Sequence, residues 1–281
     1  MLTREETAEK YTKRIMNSGN KAKKALGQNF LIDDEIIKQI VVAGIGSSKS
    51  PVVEIGAGPG GMTRVIAEKT KRLWAVEIDQ EKINILRKEI KEESIKIINM
   101  DALNVNLKDL WGEEKGLLLG NLPYYITNPL IMHYLNQSDS LLQMTVMVQK
   151  EVAERMVASP VGKQYGILSI AVQLQADAKI LFEVPPSAFW PQPKVTSAVV
   201  KLEIRPYPGF VVDRGQFFRV VKAAFAQRRK TLVNCLSNNL KIEKECLINE
   251  LKIIGISDKQ RAETLSIDDF QKLTKIIEKM E

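Results

Sequence analysis

The sequence predicts an α/β fold: an open, mostly parallel sheet wrapped by helices, followed by a smaller C-terminal all-α domain. Three observations carry that expectation. Short apolar runs alternate with helical stretches through the first half of the chain, which is the pattern of βα units. A glycine-rich loop follows the first of these runs, as at the nucleotide-binding start of a doubly wound sheet. Beyond Pro206 the pattern turns helical and lysine-rich, with Pro208-Gly209 punctuating the change.

The elements follow in order. Asp33 to Gly44 reads as an amphipathic helix leading to the first strand, Pro51-Val52-Val53-Glu54-Ile55. The loop Gly56-Ala57-Gly58-Pro59-Gly60-Gly61 comes next, and Met62 to Glu68 has helical character. Arg72 to Val76 is a second strand ending in Glu77, and Glu81 to Lys91 a helix. Ile95 to Met100 is a third strand, ending in Asp101. Gly116 to Gly120 is a fourth, ending in Asn121-Leu122-Pro123-Tyr124, and Leu141 to Val148 a fifth. Helices are expected at Glu151–Ala158 and Gly166–Ala176, then strands at Ala178–Val184 and Ser197–Ile204. The last third reads as helices over Arg214–Ala226, Lys230–Leu240, Glu243–Ile254 and Ile267–Lys279. A domain boundary is expected near Pro206: residues 1–205 form the catalytic domain with a basic N-terminal segment, 1–32, and 206–281 the helical one.

Chemistry concentrates at the strand ends. Gly56, Gly58 and Gly61 satisfy G-x-G-x-x-G, a pattern that alone fits a dinucleotide equally well. Glu54 would repel a diphosphate but favour a ligand carrying an ammonium and a sulfonium, as S-adenosylmethionine does. Glu77, about 20 residues beyond the first glycine, stands where ribose hydroxyls are held in both cofactor classes. Asp101 suits an adenine amine, or equally a helix or turn cap. Asn121 and a main-chain carbonyl, most simply that of Leu122, offer two acceptors to a planar amine. Such a pair favours a pyramidal nitrogen with its lone pair aimed at an electrophile. Tyr124 offers a face for stacking a base. Read blandly, these four residues are a strand end and a turn. Gly56, Glu77, Asp101 and Asn121 nevertheless each follow one of four successive strands, so all four should converge on the carboxyl edge of one sheet.

That ordering resembles the Class I S-adenosylmethionine-dependent methyltransferases, with their Rossmann-like sheet, and Asn-Leu-Pro-Tyr resembles their amino-methylating branch. Three further segments look like the small-subunit ribosomal RNA adenine dimethyltransferases. They are Lys23-Lys24-Ala25-Leu26-Gly27-Gln28-Asn29-Phe30-Leu31, Phe189-Trp190-Pro191-Gln192-Pro193-Lys194-Val195 and Ala224-Phe225-Ala226-Gln227-Arg228-Arg229-Lys230-Thr231-Leu232. The resemblance covers nearly the whole chain. It implies dimethylation of two neighbouring adenosines near the 3′ end of 16S rRNA, with a role in small-subunit biogenesis in the cytoplasm. It assigns donor contacts to Asn29, Leu31, Gly56, Glu77, Asp101 and Asn121, and the target base to Asn121 and Tyr124 with Phe189 as aromatic neighbour. Taken alone, Phe189 reads as a core residue; Pro191 and Pro193 are expected to hold it in a stiff loop. Val233 stands where members often carry a further basic residue, which removes one possible phosphate contact.

Composition agrees. The chain carries 41 Lys+Arg against 34 Asp+Glu, a net charge of +7 and a pI near 9.2, which steers it towards polyanions. Cations gather at Lys10, Lys13, Arg14, Lys21, Lys23 and Lys24, and again at Arg228, Arg229 and Lys230; either cluster alone is read as a solvated face. No apolar run approaches the roughly 20 residues that span a membrane, and no leader segment is expected. Cys235 and Cys246 are too few for a disulfide framework. His133 is alone, so no metal is expected. Nothing requires more than a monomer. Three rivals stay open: a large-subunit rRNA adenine dimethylase of the antibiotic-resistance type, an RNA-binding ribosome assembly factor, and an NAD dehydrogenase. The last lacks a hydride-transfer acid or base beside the loop.

Overall fold

The computed structural model describes residues 6–17, 22–23, 26–92 and 94–280. Its helices are α1 (Ala8–Asn17), α2 (Asp34–Ile45), α3 (Gly61–Lys69), α4 (Gln80–Glu89), α5 (Leu107–Trp111), α6 (Thr127–Leu135), α7 (Lys150–Val157), α8 (Ile167–Gln173), α9 (Arg214–Ala224), α10 (Leu232–Leu240), α11 (Lys244–Ile253) and α12 (Ile267–Met280). Its strands are β1 (Phe30–Leu31), β2 (Val52–Ile55), β3 (Leu73–Glu77), β4 (Ile95–Asn99), β5 (Gly116–Asn121), β6 (Leu141–Gln149), β7 (Ala176–Val184), β8 (Phe189–Trp190) and β9 (Ser197–Ile204).

Seven strands form one sheet in the order β4-β3-β2-β5-β6-β9-β7. The pairs from β4 through β6 are parallel, and β9 runs antiparallel to β6. Every residue of β2 and β3 is buried, which is why these strands read as continuous runs rather than alternating ones. The connecting helices start where the sequence offers a cap. Asp33 accepts from the Glu35 and Ile36 amides, each at 3.0 Å, and Asp79 accepts from the Glu81 amide at 3.0 Å. Ile37, Ile40, Val41, Ile66 and Ile83 then cover the sheet.

The chain divides into two compact units, Met1–Ala153 with Asp177–Arg205, and Glu154–Ala176 with Pro206–Glu281. The sequence boundary at Pro206 left 154–176 with the sheet, whereas the structure groups them with the C-terminal helices. Tyr165, Ile170 and Leu174 supply the reason, since they are buried in one cluster with Phe217, Val220, Leu236 and Phe270. An apolar helix face goes wherever a matching face exists, and sequence order does not reveal which.

Two further features departed from the sequence reading. Residues 8–17, read only as a basic segment, form the amphipathic helix α1 with Tyr11, Thr12, Ile15 and Met16 buried. Phe189 and Trp190 form not a loop but a short strand, pairing antiparallel with Phe30 and Leu31. Of the N-terminal cations, Lys21 and Lys24 lie outside the described residues.

Candidate active site

Strand register builds the site. Ile55 pairs with Val76 on one side and with Gly120 on the other. The first residue beyond β2, Gly56, is therefore flanked by Glu77 and Asn121. Glu77 is in turn level with Asn99, two residues before Asp101. A cavity of about 180 Å³ opens at this edge, lined by Asn29, Gly56, Glu77, Asp101, Asn121, Leu122 and Tyr124 together with neighbours. Seven of the nine residues singled out from the sequence thus meet in one place.

Gly56 has φ +75°, and a Cβ there would sit 3.2 Å from the Asn121 carbonyl oxygen. Gly58 has φ +56°, and its Cβ would sit 3.1 Å from the Phe30 ring. A side chain at either position would meet both a disfavoured backbone and a filled space. Glycine here lets a ligand approach the main chain closely.

Asn121 Nδ2 donates to the Asn29 carbonyl at 2.8 Å. That bond assigns Nδ2 as the donor and leaves Oδ1 free to accept. Tyr124 is anchored by a 2.6 Å hydroxyl contact with Ser197, and burial raises its pKa, so the ring is held in place as a neutral phenol. Glu77 receives the amides of Gly58 (2.8 Å), Ile78 (3.0 Å) and Asp79 (2.9 Å). Burial raises its pKa against the opposing pull of those amides. Asp101 is the turn cap the sequence allowed, Oδ1 accepting from the Leu103 amide (2.9 Å), and the residue also lines the cavity. Ile78 and Met100, which sequence reasoning passed over, line the same cavity although both are large, apolar and exposed. Apolar residues directly beside Glu77 and Asp101 were the available signal, since a purine face needs such a surface.

Leu31 lines a smaller adjoining cavity, of about 30 Å³, which shares Gly56, Gly58 and Asn121 with the first. Glu54 also borders it and is 1 % exposed. Burial pushes its pKa up to about 8, with the nearby Thr63 hydroxyl opposing and Glu77 adding to the rise. Neither Glu54 Oε2 nor Thr63 Oγ1 meets hydrogen-bond geometry with any partner among the described residues. A buried carboxyl with only the nearby Thr63 hydroxyl for company fits a cationic ligand group placed beside it.

Phe189 is a correction. Its ring is 1 % exposed within the apolar cluster under the sheet and lines neither cavity. Pairing with Leu31 in the short ribbon turns the chain so that the ring joins the core.

Several expected polyanion contacts are engaged within the chain. Lys13 pairs with Glu9 (2.5 Å), Arg14 with Glu6 (3.0 Å) and Glu89 (2.9 Å), and Lys23 with Asp79 (2.8 Å). In the second unit Arg228, Arg229 and Lys230 are exposed, and Arg228 also donates to the Lys163 carbonyl. His133 is a satisfied helix histidine, with Nε2 2.9 Å from the Val105 carbonyl. Among the described residues no cluster of three or more His, Cys, Asp or Glu could hold a metal ion, and no helix is long and apolar enough to cross a membrane.

Comparison with known proteins gives a concordant picture. The family model described as ribosomal RNA adenine dimethylase matches residues 19–279. A ribosomal RNA small subunit methyltransferase A of Desulfitobacterium hafniense is 57% identical over 274 residues, covering 98% of this chain and 99% of that protein. The protein of the same name from Bacillus licheniformis is 43% identical over 274 residues, covering 94% of each. Among solved structures, a dimethyladenosine transferase from Plasmodium falciparum aligns with TM-score 0.76 at 24% identity, over 89% of this chain and 98% of that one. The 23S rRNA methyltransferase ErmE aligns with TM-score 0.64 at 22% identity, over 89% of this chain and 100% of that one. These two likenesses speak for the fold.

Proposed function

Since the chain belongs to the ribosomal RNA adenine dimethylase family, we propose that it dimethylates two adjacent adenosines near the 3′ end of 16S rRNA in the small ribosomal subunit. On this reading it acts in the cytoplasm during subunit biogenesis and takes its methyl groups from S-adenosylmethionine. When bound, that donor supplies an electrophilic methyl carbon to the exocyclic nitrogen of the adenosine.

The chain's own residues bind, orient and shield. Gly56 and Gly58 keep the loop bare for close approach, and Glu77 offers carboxylate oxygens to ribose hydroxyls. Asp101, Ile78 and Met100 give the purine one acceptor and an apolar surface. The target adenosine must leave its stack, at a cost of a few kcal/mol that is least in loops. Stacking on Tyr124 offsets that cost by about 1–3 kcal/mol. Asn121 Oδ1 and the Leu122 carbonyl each accept one amine proton, drawing the nitrogen out of conjugation and aiming its lone pair. No strong general base is required, because the nitrogen becomes acidic once alkylated.

One observation supports the reading: Asn121 lines the main cavity together with Gly56, Glu77 and Asp101, and its Nδ2 is held by the Asn29 carbonyl, which leaves Oδ1 to accept from the amine. The test is incubation of undermethylated small and large subunits with labelled S-adenosylmethionine, followed by mass spectrometry of the rRNA. Two dimethyladenosines in 16S rRNA are expected. Label in 23S rRNA would instead favour the large-subunit activity.

A further inference from the structure

Helix α1 precedes the residues matched by the family model, which begin at position 19. It nevertheless sits directly on the glycine loop. The Tyr11 hydroxyl donates to the Pro59 carbonyl at 2.6 Å, and the Arg64 guanidinium of α3 lies 4.4 Å from the Tyr11 ring centroid. The Ala8 amide donates to Asp34 at 2.9 Å, tying the start of α1 to α2. One turn of this helix then turns a polar group inward. Thr12 is 0 % exposed, lines the smaller cavity beside Glu54 and Gly58, and its Oγ1 has no hydrogen-bond partner among the described residues.

Two buried acceptor-bearing side chains, from α1 and β2, thus face one small cavity, and among the described residues neither Thr12 Oγ1 nor Glu54 Oε2 meets hydrogen-bond geometry with a partner. Leaving such groups unpaired is costly, and valine would fill the threonine position without that cost. An ammonium group has three donors and no acceptor, which matches a hydroxyl oxygen plus a carboxylate. The cavity adjoins the larger one at Gly56, Gly58 and Asn121, so a ligand with its nucleoside in the larger cavity would place its amino-acid end here.

We propose that α1 completes the donor site: the Thr12 hydroxyl, with Glu54, receives the α-ammonium group of the methyl donor, so that donor occupancy and docking of α1 reinforce one another. The inference rests on the methyl-donor reading of the two cavities. It makes the helix a closing element over the donor's amino-acid end, beyond the contacts assigned to Asn29 and Leu31. By linkage, a ligand bound to the docked form must favour docking by the same factor as docking favours the ligand.

The experiment compares S-adenosylhomocysteine with methylthioadenosine, which keeps the nucleoside and sulfur but lacks the amino-acid end. Both are titrated calorimetrically into the unmodified chain, Thr12→Val and Thr12→Ser, and hydrogen exchange of residues 8–17 is followed with each ligand. Thr12→Val is expected to weaken S-adenosylhomocysteine tenfold or more while holding methylthioadenosine within twofold, and Thr12→Ser to restore the loss. Exchange in α1 should slow with S-adenosylhomocysteine and not with methylthioadenosine. Equal binding of S-adenosylhomocysteine by Thr12→Val and the unmodified chain overturns the contact. A parallel loss for both ligands also overturns it, since that marks a packing fault. An unmodified chain that binds neither ligand overturns the methyl-donor reading itself.

Discussion

Replacing Glu54 by glutamine probes the electrostatics at the donor's charged end. Burial pushes the Glu54 carboxyl up from 4.5 to about 8. In the free protein at pH 7 it is therefore protonated in roughly nine molecules of ten. A cation beside it favours the charged form, so donor binding should expel that proton. The same displacement fixes the sign of the stability profile. The folded chain holds more protons than the unfolded one between pH 4.5 and about 8, so this contribution is complete below 4.5 and is lost as pH rises through 8. At about 1.36 kcal/mol per decade the loss has a ceiling of about 5 kcal/mol. Glutamine keeps the shape and cannot ionise. Glu54→Gln should thus match the parent in urea unfolding near pH 5 and exceed it by a few kcal/mol near pH 9; the raised Glu77 is common to both and cancels. Calorimetry of S-adenosylmethionine at pH 7, in two buffers of different ionisation enthalpy, should show close to one proton released by the parent and none by the variant. Equal proton release by both, or parallel stability profiles, would refute the assignment of a buried protonated carboxyl to this site.

Four further outcomes follow from the geometry. Asn121→Ala should slow single-turnover methyl transfer by about a hundredfold or more, on the scale of a lost oxyanion-type contact, while RNA affinity in filter binding stays unchanged. Gly56→Ala forces a side chain to φ +75° and within 3.2 Å of a carbonyl; a stability loss of about 1–3 kcal/mol and weakened donor binding should appear in calorimetry. Tyr124→Phe gives up the 2.6 Å contact to Ser197 for about 1 kcal/mol of stability but keeps the ring, whereas Tyr124→Ala should also raise KM for RNA by about tenfold, as expected from a lost stack. Replacing Arg228, Arg229 and Lys230 with alanine should flatten the plot of log affinity against log salt by about two, at roughly 0.7 per single-strand phosphate; an unchanged slope would remove these residues from the RNA contact.

The sheet and most of the site were legible because both follow from local signals. Four apolar runs, each ending in a residue with chemical capacity, were enough to bring Gly56, Glu77, Asp101 and Asn121 to one edge, since parallel register leaves no other place for them. What escaped depends on contacts distant in sequence. The resemblance made Phe189 an aromatic neighbour of the target base although taken alone it read as core, and its pairing with Leu31 accompanies a ring turned inward. Residues 154–176 are amphipathic in a way that fits either unit, and the partner face that decided the matter lies beyond Pro206. Helix α1 looked basic because its charged face dominates the composition, although Tyr11, Ile15 and Met16 recur at helical spacing. The N-terminal charge was also misleading as an estimate of free cations, since Lys13, Arg14 and Lys23 are paired within the fold.

The unsatisfied polar atoms link stability to function. Thr12 Oγ1, Glu54 Oε2 and Thr63 Oγ1 are buried and unpartnered among the described residues, and all belong to segments that surround the glycine loop. A fold selected for stability alone would replace each by an apolar isostere, because every such group costs about 1–3 kcal/mol. Thr12 and Glu54 line the smaller cavity, and a ligand that supplies their missing partners gains in affinity what the empty site forgoes. Larger charge offers a larger gain, which is why a cationic amino-acid end suits Glu54 better than a pyrophosphate would. The Glu54 carboxyl therefore weighs against the dinucleotide reading that the glycine pattern alone left open.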